Sequence, residues 1–293
     1  MKRKLAMAGL TAVLLMATAA CGSSGSSGSS AAPADTSAPL YSSVPEKFRD
    51  GITVSLQTNQ PPLSFQKDGQ TVGEDPELLA ELSKVLGIHI KVEPAAFESM
   101  LLGLDQGKYD FVLQTDITAA RAAKYTQLSQ FKDGYTFLAT KDNPDIGSSE
   151  SDLCGLTIGT QSGANYTAYL QKLSTKCTSE GKGAIVLVAL PDVPSLYLAA
   201  ASGRIKALSA PVSTLGYFIQ SDQDKVGKEW KLTGPTYLQS KVGWTFPKNS
   251  ELAPAVEKAL NKMIADGSYQ KILTKWGLQG NIADKAELNP SVN

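Results

Sequence analysis

Two charged residues in "LQTDITAAR" (113–121) have the types and spacing to hold an ion. A β-prone run, Phe111, Val112 and Leu113, leads to Asp116. Thr118 is suited to N-cap a helix beginning at Ala119, which puts Arg121 at the third helical position. A cation there opposes the helix dipole. Either Arg121 and the free N–H groups of that helix start act together on an external anion such as a carboxylate, or Arg121 pairs locally with Asp116. A second anion-friendly stretch is "TQSGANY" (160–166), a strand end, a tight turn and a helix start offering the backbone N–H groups of Gly163, Ala164 and Asn165. Its competing use is simply to cap the helix. It has neither GxGxxG nor Walker spacing, so a nucleotide is poorly supported. Cys154, Cys177 and the single His89 lack metal-ligand spacing, so no metal site is expected, and no catalytic set is assigned.

The elements that position these residues follow from apolar periodicity, which alternates between strand and helix from residue 52 onward. "ITVSL" (52–56) reads as a strand. Leu78, Leu79, Leu82, Val85 and Leu86 stripe a helix over 77–87, with Asp75 and Pro76 suited to its N-cap and first turn. "IHIKVEP" (88–94), a helix carrying Phe97, Met100, Leu101 and Leu104, and "YDFVLQT" (109–115) complete a βαβαβ unit, hence a parallel sheet. After a crossing at "YTFLAT" (135–140) the pattern restarts. "LTIGTQ" (156–161) precedes a helix with Tyr166, Tyr169, Leu170 and Leu173; "AIVLVAL" (184–190) precedes "SLYLAAAS"; "IKALSA" precedes a helix near 212–220. A strand at "KVGWTF" (241–246) and helices over 251–265 and 268–276 return to the first unit. The expected class is therefore α/β, two lobes joined by two crossings that make a hinge. Lobe 1 comprises 49–138 and 240–282, lobe 2 comprises 139–239, and 283–293 is a C-terminal tail.

Ligands of open parallel sheets sit beyond the carboxyl ends of the strands. Those ends bring Gln57, Gln60, Phe97, Gln114, Thr115 and Asp116 from one lobe, and Gln161 with 163–165 from the other, to one cleft. The remainder of the composition bounds the setting. A chain of 293 residues with 42% hydrophobic and 19% charged residues is globular material. Lys2, Arg3 and Lys4, an apolar run through Leu14, Leu15 and Met16, and small residues up to Ala20 read as a secretory signal over 1–20, too short to span a bilayer. Cys21 followed by "GSSGSSGSS" resembles a bacterial lipobox, whose cysteine is acylated, although Thr18 departs from the usual aliphatic residue; a stray cysteine at a cleavage site is the alternative. Residues 22–43, rich in Gly, Ser, Ala and Pro, are expected to form a flexible tether of about 25 Å mean reach, and the linker is assigned to 21–48. Without the three leader cations the chain has 25 basic and 28 acidic residues and no basic cluster. Nucleic acid is thereby disfavoured as a partner, and membrane contact is left to the lipid. An exported chain meets oxidising conditions, so a Cys154–Cys177 disulfide is expected.

Four segments carry a resemblance to a known family: "QPPLSFQKDGQTVGEDPELLAEL", "GKYDFVLQTDITAARAAKY", "DLCGLTIGTQSGANYTAYL" and "ALNKMIADGSYQKILTKWG". Over roughly residues 50–280 the chain resembles solute-binding proteins of family 3, the amino-acid-binding components of ABC importers. The resemblance implies two lobes that close around a ligand, a carboxylate held by Arg121, backbone donors at 116 and 163–165, and a covering ring at Phe97. "NQPPL" departs from the pattern, with Gln60 in place of an aromatic ring and Leu63 in place of Phe. The family's ammonium-binding aspartate falls on Pro211, whereas Asp116 stands where Ser or Thr is usual. The expectation is that Asp116 takes the ligand ammonium while Arg121 takes its carboxylate, the zwitterion holding the two apart. The implied function is a monomeric, lipid-anchored extracytoplasmic protein that captures a small polar amino acid and delivers it to a permease. An opine or quaternary-amine binder is an alternative, as is an enzyme of the dehydratase or peptidoglycan-lyase type on the same fold, with Asp116 and Glu98 as its acids, or a receptor sensor domain. Arg204 and Lys206 are expected in solvent, Trp244 packed near the hinge, Tyr269 and Trp276 on an amphipathic helix, and Asp192 either as a helix cap or at the cleft.

Overall fold

Residues 34–221 and 229–291 are described by the structure, a computed structural model. The first apolar alternation becomes β1 (Ile52–Ser55), a small hairpin sheet of β2 (Asn59–Gln60), β3 (Ser64–Lys67) and β4 (Gln70–Val72), then α1 (Glu74–Leu86), β5 (Ile90–Val92), α2 (Phe97–Asp105), β6 (Phe111–Asp116) and the short α3 (Ala119–Lys124). β7 (Thr126–Thr140) leads into β8 (Thr157–Gln161), α4 (Asn165–Ser179), β9 (Val186–Leu190), α5 (Val193–Ala201), β10 (Ala207–Pro211) and α6 (Val212–Ser221). β11 (Trp230–Phe246) returns to the first half, followed by α7 (Ala253–Ala265) and α8 (Ser268–Lys275).

The eight long strands form one sheet in the order β5-β1-β6-β11-β7-β10-β8-β9. β1 pairs in parallel with β5 and β6, and β8 in parallel with β9 and β10, so each half has its first strand in the middle. β7 and β11 lie antiparallel between the halves and pair along most of their length. This is the two-lobed α/β fold, and its two crossings are these two strands.

Helical stripes close the sheet on each side. Leu78, Leu82 and Leu86 of α1 are fully buried against Phe111, Trp244, Leu260 and Tyr269, so α7 and α8 join the first lobe as expected. Trp244 stacks on Phe111 with centroids 5.4 Å apart, a packing role. On the other side of the hinge Leu170 and Leu173 of α4 pack with Phe137 and Tyr237, while Leu196, Leu215 and Phe218 surround Trp230. Cys154 and Cys177 form the expected disulfide, which ties a 3-10 turn (Glu150–Leu153) to the end of α4.

Several boundaries differ from the sequence expectation. The crossings are 15 and 17 residues long, because polar residues such as Gln127, Ser129 and Gln130 are buried within β7 and hide the strand from an apolar count. α1 starts at Glu74, not after an Asp75 cap: Gly73, at φ 138°, presses against the Leu63 carbonyl, and both acids turn inward. The hairpin sheet was not foreseen, although Asp68 and Gly69 between β3 and β4 both have positive φ, the type I′ signature of a two-residue loop. Residues 34–48, assigned to the flexible linker, are docked instead. Asp35 N–H donates to the Gly87 carbonyl at 2.9 Å, Leu40 N–H to Val85 at 3.0 Å, and Val44, Leu40, Tyr41 and Phe48 join the core. Their apolar side chains outweigh the surrounding Ser, Ala and Pro. The expected tail is likewise held through Asn289 along β7, where Leu288 bridges Leu128 and Glu287 exchanges hydrogen bonds with Ser129.

Gly243 lies where β11 shifts register, so close to the Leu128 carbonyl that a Cβ would collide with backbone. Gly243→Ala should therefore lower unfolding stability by about 2 kcal/mol or more in urea titrations; an unchanged midpoint would contradict this reading of the crossing.

Candidate functional site

The carboxyl ends of β1, β6, β8 and β10 meet at the middle of β7 and enclose a narrow cavity of about 30 Å³. Small-molecule sites usually hold roughly 300 Å³ or more, so the halves here are drawn together. The cause is direct hydrogen bonding. Gln161 Nε2, from the second half, donates to Gln57 Oε1 of the first at 2.7 Å, and Gln57 Nε2 donates to Gln60 Oε1 at 2.8 Å. Phe97, Gln114 and Asp116 complete one wall; Ala164, Tyr166 and Pro211 form the other; Phe131, Asp133 and Tyr135 of β7 supply the floor.

Gln114 is the anchor of the first wall. Its φ of 60° is left-handed, a strained conformation for a non-glycine residue, and its side chain is correspondingly over-determined. Oε1 accepts from Gln57 N–H at 2.9 Å, while Nε2 donates to Ser64 Oγ at 2.6 Å and to Asp75 Oδ2 at 2.8 Å. Behind it, Gln130 Nε2 donates to Glu74 Oε1 at 2.7 Å. Both acids are fully buried. Burial, and then the neighbouring Asp75 charge, pushes Glu74 well above the usual carboxylate range, and burial lifts Asp75 to about 6 against the opposing Gln114 and Gln130 hydrogen bonds.

At the start of α3 the Thr118 hydroxyl accepts from Arg121 N–H at 3.2 Å, the N-cap read from sequence. Arg121 then folds back. Nη1 donates to the Asp116 carbonyl at 3.1 Å and lies 3.6 Å from Oδ2, with the guanidinium 5.4 Å from the Phe97 ring centroid. Tyr135 O–H donates to Asp116 Oδ1. The local pairing is thus the one present: a buried carboxylate is costly without a counter-ion, and the five-residue spacing brings one within reach. Burial still raises the Asp116 pKa, with Arg121 and Tyr135 opposing.

Asp133 was not anticipated. Its Oδ2 accepts from Ser213 O–H at 2.5 Å, and its Oδ1 from Gly134 N–H at 2.8 Å and Ser213 N–H at 3.4 Å. The residue as a whole is half-buried, yet its carboxyl group is enclosed enough that burial pushes its pKa up to about 6. Phe131, Asp133 and Tyr135 alternate along one face of β7, a period-two signal that was missed because the strand was read only from residue 135.

Of the other expected site residues, Thr115 does not offer its side chain. Strand alternation turns it into the sheet, where Oγ1 meets the Gly243 carbonyl at 3.1 Å and Thr245 Oγ1 at 2.7 Å. Gly163, at φ 75°, comes so near α2 of the other half that a Cβ would lie 3.0 Å from Glu98 Cγ. Asn165 opens α4 and is half-buried. Asp192 caps α5, accepting from Ser195 N–H at 2.8 Å. Arg204, Lys206 and His89 are exposed. Among the described residues no cluster of His, Cys, Asp or Glu could hold a metal. Cys21 and the leader lie outside the described residues.

Two α/β lobes on a shared pair of strands, meeting over one polar cleft, define the periplasmic-binding-protein class. The chain belongs to the bacterial extracellular solute-binding proteins, family 3, whose family model matches residues 52–279. It is similar to the arginine-binding protein ArgT of Corynebacterium glutamicum, 24% identical over 263 residues, covering 85% of this chain and 82% of that one. It is also similar to the L-cystine-binding protein TcyJ of Escherichia coli K12, 27% identical over 234 residues, covering 78% and 84%. Among solved structures, an ancestral arginine-binding protein bound to arginine aligns with a TM-score of 0.69 and 26% identity, over 77% of this chain and 97% of that one. These named relatives are binding proteins, not enzymes.

The Glu74–Asp75 pair has a pH signature of definite sign. Carboxyls whose folded pKa is raised favour the folded state below their ordinary range near 4, and that contribution is lost as pH climbs, through about 6 for Asp75. Glu74→Gln should accordingly raise the thermal midpoint relative to the parent at pH 8 and lose most of that advantage at pH 4.5. A difference that stays constant across this range would show that the pair is not held protonated by burial.

Proposed function

We propose that this chain is an extracytoplasmic binding protein that captures a small polar amino acid between its lobes and delivers it to an ABC permease. The observation that carries this reading is the convergence of both halves on one cavity, with Gln161 reaching Gln57 across the gap. Capture and closure are then one event, because the bound state is the one in which both walls make contact. The arginine- and cystine-binding relatives support an amino acid as the ligand.

Each site residue takes a role consistent with its neighbours. Both Arg121 contacts to Asp116 use Nη1, which leaves the Nε–Nη2 edge for a bidentate grip on the ligand carboxylate. Asp116 accepts from Tyr135 and Arg121 and retains lone pairs for the ligand ammonium. Phe97 covers the ligand, Gln57, Gln60, Gln114 and Gln161 hydrogen-bond to its polar atoms, and the 163–165 turn contributes backbone N–H groups. The moving bodies are 49–138 with 240–282, and 139–239. Removal of residues 1–20 and acylation of Cys21 would hold the monomer at the outer face of the membrane.

A thermal-shift panel of amino acids and amines tests the reading directly. A ligand at a hundredfold its dissociation constant adds about 2.7 kcal/mol of stability. Asp116→Asn should weaken amine-bearing ligands by a few kcal/mol and carboxylic acids lacking an amine much less. No shift with any amino acid would overturn the function, and equal losses for both ligand types the role of Asp116. Cys21→Ser should move the protein from the membrane fraction to the soluble fraction; retention with the membrane would refute the lipid anchor.

A further inference from the structure

We infer that the ligand is a basic amino acid of net charge +1, and that Asp133 is the specificity-determining residue that receives its second cationic group. This rests on the amino-acid reading above and adds a charge count to it. Two carboxylates, those of Asp116 and Asp133, line the cavity, and the Arg121 guanidinium lies against the lining residues Asp116 and Phe97. Arg121 is committed to Asp116, so the pair is neutral within itself. A zwitterionic ligand adds no net charge to that pair, its ammonium on the spare lone pairs of Asp116 and its carboxylate on the Nε–Nη2 edge of Arg121. Asp133 would then remain enclosed without a counter-ion.

The surroundings of Asp133 support that count. Its three donors, Ser213 O–H, Ser213 N–H and Gly134 N–H, are neutral groups that stabilise a carboxylate without cancelling its charge. Among the described residues no Lys or Arg nitrogen lies within 4.0 Å of it; Lys241, on the neighbouring strand, is bound to Glu287 at 2.6 Å. Lys132 precedes Asp133 in β7 and alternates away from Phe131, Asp133 and Tyr135; it and Lys241 border the open cavity that Asp133 also meets on its other side. The nearby Asp116 charge raises the cost of ionising Asp133 further, and a cation between the two relieves both. Phe131, Tyr135 and Tyr166 line the same space, apolar walls for an aliphatic stem and ring faces for a cation.

The competing use of Asp133 is to cap α6 through Ser213, and substitutions separate the two. Isothermal titration of the full chain with L-arginine, L-lysine, L-citrulline and L-glutamine provides the test, citrulline being the uncharged counterpart of arginine. The parent protein should bind arginine or lysine at least tenfold more tightly than either neutral ligand. Asp133→Asn keeps an acceptor for Ser213 but not the charge, and should narrow that ratio to threefold or less. Ser213→Ala, which loosens the cap and keeps the charge, should preserve it. Equal or tighter binding of the neutral ligands by the parent overturns this inference and leaves amino-acid capture standing. Binding of none of the four, with cystine also inert, removes both. An undiminished preference in Asp133→Asn, or the same loss in both variants, overturns the role of Asp133.

Discussion

One antiparallel pair governs the rest of the molecule: β7 and β11 belong to both halves of the sheet at once. Their ladder is regular at each end, from Trp230 opposite Thr140 to Phe246 opposite Thr126, and shifts register between Thr233 and Tyr237, Tyr237 and Ser240, and Val242 and Gly243. Bulges bend strands and increase twist. The irregular stretch therefore lies where the two half-sheets join, beside Phe131, Asp133 and Tyr135 on the cavity floor. Any change in the angle between the halves must pass through the strands that carry those side chains. The shape of the cavity floor and the hinge geometry are consequently not separable parts of this fold.

Neutral amides do much of the connecting around the cleft. Gln57, Gln60, Gln114 and Gln161 link one another, and Gln114 and Gln130 link the cavity wall to the buried Glu74 and Asp75. An amide both donates and accepts, so such a chain can cross from one lobe to the other without placing a further charge in a low-dielectric space. Buried carboxyl groups are confined to a few places, each with a distinct environment: Asp116 has a cation and a phenol, Asp133 has only neutral donors, and Glu74 with Asp75 has amides and a shared burial penalty. The fold thus sorts its acids by what each is given as a partner.

The alternation of strand and helix was legible because apolar stripes such as Leu78, Leu82 and Leu86 obey their period, and Thr118 was legible as a cap because local chemistry alone sets it. What escaped reading was set by tertiary context. Buried polar residues in the first half of β7 conceal a strand from a hydrophobic count, and Asp133 was lost with them. The pairing of Arg121 with Asp116 was one of two open alternatives, since spacing cannot say whether a guanidinium turns back or outward. Residues 34–48 were misassigned because composition averages over a window, while docking is decided by a few side chains, here Leu40, Tyr41, Val44 and Phe48.

That docked segment has a mechanical consequence. It is bonded to the C-terminal end of α1 through Gly87 and Val85 and shares its apolar contacts with the first lobe, and among the described residues none of its hydrogen bonds reaches the second. A pull applied upstream of residue 34 is therefore borne by one lobe alone. The other is left as the free arm of a clamp.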